Sequence, residues 1–213
     1  MNRKFVSKSN RVLRKVLNSK DNLDILKDFI ESFLDIEIYQ IELNSYLGEK
    51  SKSFPSEENF GIADVRVKLQ NGEELNIGIQ FIDGYYIQSK LLLYYAQIHS
   101  GQVLFQDDRR LCKTYTINLL DFEYLNSENY FTKMLIPTMQ TQSDISAKLE
   151  LYLVELPKFK YSSDSKKITR KEAWMIFLCG NEKEKIQEVL KEFSKIQKLD
   201  QLLNDYWKNE KME

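Results

Sequence analysis

The sequence predicts a mixed α/β fold, and three features carry the prediction. Residues 62–81 alternate apolar and polar side chains on both sides of Asn71-Gly72, the period-two pattern of a β-hairpin. Residues 114–121 and 148–156 are two further β-rich runs. Around these strands lie apolar stripes at helical spacing, over residues 22–34, 85–104 and 181–207.

Bulk composition narrows the class. A chain of 213 residues is long enough to bury one sizeable core. With 42% hydrophobic and 30% charged residues it reads as soluble and globular, and no apolar run reaches the length of a membrane span. The basic beginning lacks an apolar signal core, so no secretory peptide is read and the expected location is cytoplasmic. Cys112 and Cys179 are too few for a disulfide framework or a structural zinc site, and are expected as small core residues of a reducing compartment. A net charge of −1 means that affinity for nucleic acid needs a local patch rather than bulk charge.

The elements follow in order. Residues 2–20 hold Arg3, Lys4, Lys8, Arg11, Arg14, Lys15 and Lys20 and no acid, with Val12, Leu13, Val16 and Leu17 at helical spacing. This is either a solvated helix face or a surface for phosphates. Residues 22–34 form a core helix through Ile25, Leu26, Phe29, Ile30, Phe33 and Leu34, with Ser19 and Asp21 as candidate caps. Residues 36–47 are expected as a first strand, and 48–59 as a polar loop leading into the hairpin.

A helix over 85–104 turns Ile87, Leu91, Tyr94, Tyr95 and Ile98 inward, its tyrosines reading as core rather than as stacking platforms. His99 is the only histidine and cannot by itself make a histidine metal site. Residues 114–121 read as a buried strand, with Asp121 as a turn residue. Residues 123–146 show no clear period. In 148–156, Leu149, Leu151 and Leu153 alternate with Glu150, Tyr152 and Val154 before Pro157 stops the strand. Thr169 and Glu172 form a capping-box pattern for a helix that ends at Gly180. Residues 181–207 read as a second helical region, striped by Ile186, Val189, Leu190, Phe193, Ile196, Leu199, Leu202, Leu203 and Tyr206. It either packs on the domain or pairs with another chain.

The hairpin register can be derived. Ala63, Val65, Val67 and Leu69 share one face of the first run, and Asp64, Arg66 and Lys68 the other. The return run divides into Leu75, Ile77, Ile79 and Phe81 against Glu74, Asn76, Gly78 and Gln80. A two-residue loop at Asn71-Gly72 would set Lys68 opposite Leu75 and mix the faces. A three-residue loop of Gln70, Asn71 and Gly72 puts glycine at the left-handed position and sets Asp64 opposite Gly78. Directly opposed Cβ atoms lie about 5 Å apart, which suits two carboxylates sharing a divalent metal. Position 78 is glycine, so one carboxylate is missing from that place.

Several blocks carry a resemblance. Ala63-Asp64-Val65 is followed by Asn76-Ile77-Gly78-Ile79-Gln80, and further on come Tyr94-Tyr95-Ala96-Gln97 and Gln102. Ile117-Asn118-Leu119-Leu120-Asp121-Phe122 and Val154-Glu155-Leu156-Pro157-Lys158-Phe159 complete the set. In order and spacing these resemble the PD-(D/E)XK nuclease superfamily, and within it the Rpn-type recombination-promoting nucleases, also described as transposases. The likeness covers roughly residues 10–180. It implies a restriction-endonuclease-like core over 1–180, with a central mixed sheet, a hairpin carrying the site and flanking helices. Residues 181–213 would be a helical extension packed on it.

The resemblance also implies a metal-dependent DNA endonuclease using Mg²⁺, with DNA as partner and no membrane. Carried over residue by residue, Asp64 is the catalytic metal ligand and Gln80 the group that orients the attacking water. The two other family acids fall on Asn10 and Gly78. Candidate nucleic-acid contacts are Arg11, Arg14, Lys15, Lys90 and Gln102. Lys90 reads first as a snorkelling surface lysine, and Gln102 equally as a helix-end cap. Glu73, Glu74, Glu42, Glu150 or a second subunit are the conceivable sources of a substitute acid. With a lone carboxylate, impaired or lost catalysis is expected, because Mg²⁺ usually needs one or two carboxylates besides water and phosphate. The alternative is a catalytically silent nuclease-fold protein that binds DNA or a partner subunit, with the C-terminal helix as a candidate homo-dimer contact. A third reading is an unrelated α/β domain with a purely structural hairpin.

Overall fold

The structure, a computed structural model, describes residues 12, 13, 15–43, 63–82, 86–94, 96, 112–134, 149–161 and 167–210. Its centre is a six-stranded mixed sheet. The strands are β1 (Ile38–Leu43), β2 (Ala63–Leu69), β3 (Glu74–Ile82), β4 (Lys113–Leu120), β5 (Phe131–Met134) and β6 (Leu149–Glu155). Their order across the sheet is β1-β2-β3-β4-β6-β5. β3, β4 and β6 run parallel, and the remaining neighbours pair antiparallel. The described helices include α1 (Leu23–Leu34), α2 (Arg170–Cys179), α3 (Lys183–Glu192) and α4 (Ser194–Glu210).

Period-two alternation sends two sets of side chains to the two faces. Ala63, Val65, Val67, Leu75, Ile77, Ile79, Ile117, Leu119 and Val154 face a large core shared with Ile25, Leu26, Phe29 and Ile30 of α1. Trp174 of α2 and Val189, Ile196, Leu199 and Leu203 of α3 and α4 belong to the same cluster. On the other face Ile82, Leu120, Leu151 and Leu153 meet Ile87 and Leu91 of the helical segment 87–94. The return strand of the hairpin is therefore not half-buried as its alternation suggests. β3 is covered on both faces, and Asn76 and Gln80 are as buried as its isoleucines. Parallel strands with helices on both sides leave no wet face.

Local chemistry fixes the element ends. Thr169 and Glu172 form the expected capping box, and Gly180 ends α2 in the left-handed conformation (φ 64°). Ser19 caps the short 3₁₀ turn Lys20–Asn22 before α1. Gly72 (φ 85°) closes the hairpin, its N–H bonded to the Leu69 carbonyl at 3.0 Å.

Two expectations are refined. The region 181–207 is two helices, because the chain is extended at Phe193 (φ −113°, ψ 92°), which lets α3 and α4 each turn an apolar side to the core. Residues 131–134 form the edge strand β5, too short at four residues to show a period. Cys112 and Cys179 are half-buried free thiols, and Cys179 packs against the main core as expected. Burial pushes the Cys179 thiol up to about 12.

Candidate active site

The hairpin places Asp64 opposite Gly78 and Val65 opposite Ile77, the register of the three-residue loop. The ladder continues through Thr116 on β4, so Asp64, Gly78 and Thr116 stand in one row across the sheet. The next row along β3 and β4 is Gln80 and Asn118. All of these side-chain positions share the face covered by segment 87–94.

Asp64 is half-buried, and its Oδ1 accepts a hydrogen bond from the Tyr94 hydroxyl at 2.8 Å. The same hydroxyl lies 3.2 Å from the Ile79 carbonyl and 3.5 Å from the Ala63 carbonyl. One phenol thus ties segment 87–94 to both strands of the hairpin at the acid. Tyr94 is 1% exposed, so its hydroxyl has to find its partners within the protein. Asp64 and Tyr94 each make further interactions besides these.

Gln80 is 3% exposed, and its Nε2 donates to Asn118 Oδ1 at 2.6 Å. Asn118 Nδ2 in turn donates to the Tyr152 carbonyl at 2.9 Å and to Thr116 Oγ1 at 3.1 Å. Three parallel strands are joined by side chains at this level. Sequence reasoning missed Tyr94 and Asn118. The available signal for Asn118 was its place among polar residues on one side of a buried strand, Thr114, Thr116 and Asn118. For Tyr94 only an inward position on a helix was legible.

Three of the four substitute acids are engaged elsewhere. Glu74 is paired with Arg66, and Glu73 with Lys113 at 2.7 Å. Glu150 lies on the opposite face, where it pairs with Lys133 at 2.8 Å and accepts from the Tyr152 hydroxyl. Burial, with Glu150 beside it, pushes that phenol well above its ordinary range. Glu42 stands opposite Arg66, one row from Asp64, and is exposed.

Of the candidate nucleic-acid contacts, Lys15 is exposed and bonded to the Tyr206 hydroxyl at 2.7 Å, its ammonium 4.9 Å from that ring. Lys90 is half-buried in segment 87–94 and does not lack partners. Asn10, Arg11, Arg14 and Gln102 lie outside the described residues, as does His99.

A magnesium ion takes oxygen ligands in near-octahedral array, with carboxylates supplying the charge. In the two rows formed by Asp64, Gly78, Thr116, Gln80 and Asn118, only Asp64 is acidic. Among the described residues no group of three His, Cys, Asp or Glu could hold a metal ion. The described residues therefore do not by themselves fit the ion.

A six-stranded mixed sheet covered by helices, with Asp64 on a hairpin joined to parallel strands, defines a mixed α/β domain. The family model described as PD-(D/E)XK nuclease family transposase matches residues 10–213, and the chain belongs to that family. No curated protein and no solved structure gives a match. Among the described residues no helix is long and apolar enough to cross a membrane.

Proposed function

We propose that this chain is a DNA-acting member of its family in which cation-dependent cleavage is impaired or lost. Family membership supports the nuclease-like function. The observation that carries the impairment is the pairing of Asp64 with Gly78, which leaves the acid without a carboxylate across the hairpin. Mg²⁺ would be the cofactor of an active relative of this fold, and the described residues alone offer fewer carboxylates than the ion needs. Gln80 is the residue in the place of the water-orienting group, and basic side chains such as Lys15 and Lys90 are the candidate contacts to DNA. Residues 181–213 are read as a helical extension completing the domain, with α4 as a candidate contact to a second copy.

Incubation of supercoiled plasmid with the protein and Mg²⁺ or Mn²⁺ tests this reading. The expected result is nicking no greater than that of Asp64→Ala, with DNA binding retained in a gel-shift assay. Strong cleavage by the native chain that Asp64→Ala abolishes would overturn it.

A further inference from the structure

A side-chain amide has two ends, one donating and one accepting, and its neighbours decide which way it turns. The Gln80–Asn118 pair can be assigned from its surroundings. The Tyr152 carbonyl can only accept, so the Asn118 atom 2.9 Å from it is Nδ2. Asn118 Oδ1 is then the atom that faces Gln80, at 2.6 Å. An oxygen there can be met only by a donor, so Gln80 must offer Nε2. Thr116 Oγ1 at 3.1 Å and the Thr116 carbonyl at 3.3 Å hold Nδ2 in the same orientation. Asn118 is fully buried and Gln80 is 3% exposed, so on the β4 side of Gln80 water cannot rescue a mismatched pair.

We propose that Asn118 is a positioning residue of the candidate site: it admits only a hydrogen-bond donor at position 80, and so turns the carbonyl oxygen of Gln80 away from β4. β2, which carries Asp64, lies on that other side of β3. Gln80 therefore presents an acceptor to whatever water or donor group approaches the acid. The same geometry makes position 80 a ready place for a lysine, whose ammonium would find the Asn118 oxygen waiting. The part of the inference that concerns the approaching group rests on the nuclease-like reading. The orientation of the amide does not.

Thermal unfolding of Gln80→Lys and Gln80→Glu, each in the native and Asn118→Ala backgrounds, is the test. Lysine keeps a donor and glutamate sets a second oxygen against Oδ1. Either charge is penalised by burial, so the readout is the difference in Tm between the two variants rather than the distance of either from the native protein. Gln80→Glu is expected to unfold about 3–10 °C below Gln80→Lys, the range for a buried unsatisfied group in a chain of this size. In the Asn118→Ala background the gap between the two should close. A tolerated glutamate with a costly lysine would reverse the assignment and overturn the proposal. An equal gap in both backgrounds would show that Asn118 does not set the choice, and would also overturn it. Asp64→Asn in the gel-shift and plasmid assays tests the site separately, so failure of the nuclease-like reading leaves the unfolding result interpretable.

Discussion

Replacing Gly78 with glutamate restores a carboxylate opposite Asp64 and should make the stability of the protein depend on divalent cations. Directly opposed Cβ atoms sit about 5 Å apart, where two like charges repel by about 3 kcal/mol at an effective dielectric of about 20. In EDTA that repulsion should lower Tm by about 6–12 °C, at about 2–4 °C per kcal/mol for a chain of this size. A cation bound between the two carboxylates removes the penalty. At a concentration about 100-fold above its dissociation constant it returns about 2.7 kcal/mol, most of what the charge pair cost. Position 78 is buried, so part of any loss will be steric. Gly78→Gln, of nearly the same volume and uncharged, measures that part. The assay is thermal unfolding of the native protein, Gly78→Gln and Gly78→Glu with EDTA, Mg²⁺ or Mn²⁺. A Gly78→Glu protein that is folded yet indifferent to both cations would refute the placement of the site.

Three further predictions concern what holds the site and the core. Tyr94→Phe keeps the ring and removes the hydroxyl that bonds Asp64. It should cost about 1.5–3 kcal/mol in urea unfolding, the range for hydrogen bonds to charged groups, and an unchanged midpoint would show the hydroxyl to be idle. Lys158→Met strips the partner from Glu155, a fully buried carboxylate 2.7 Å from the ammonium. Its remaining bonds from the Tyr124 and Leu125 amides do not replace a charge, so a loss of about 3–5 kcal/mol is expected, and less than about 1 kcal/mol would count against the pairing. Asp24 links α1 to α4. Partial burial pushes its carboxyl up, but Lys195 and Lys198, each at 2.8 Å, outweigh that and hold it down to about 2. A folded-state value below the ordinary 3.8 means that the contribution is present above that pH and lost as pH falls toward 2. Because the carboxylate is more than one-third exposed, screening reduces it to about 1 kcal/mol or less. Asp24→Asn should remove that amount at pH 7 and flatten the acid limb between pH 4 and 2, as read by urea midpoints across pH.

Local chemistry was legible where it is written in adjacent residues. Asn71-Gly72, the polar alternation beside it and the Thr169–Glu172 box each fix a turn or a helix start within a few residues, and the Asp64–Gly78 register follows from them. What comes from distant elements was not. Phe193 is one apolar residue in a stripe of apolar residues, and only the packing of α3 against α4 reveals the break. Burial of β3 on both faces depends on segment 87–94, which alternation within 74–82 cannot report. Tyr94 lies 30 residues from Asp64 in the chain, and a helical stripe tells that it faces inward but not which strand it meets. The Gln80–Asn118 bond spans 38 residues, across a parallel pairing that no turn specifies.

Isothermal titration of Mg²⁺ and Mn²⁺ into the native protein, beside Asp64→Ala, is the most direct measurement of whether one acid facing a glycine still makes a cation site. No saturable heat below millimolar concentration is predicted for either protein. Saturable micromolar binding by the native chain that disappears in Asp64→Ala would contradict it.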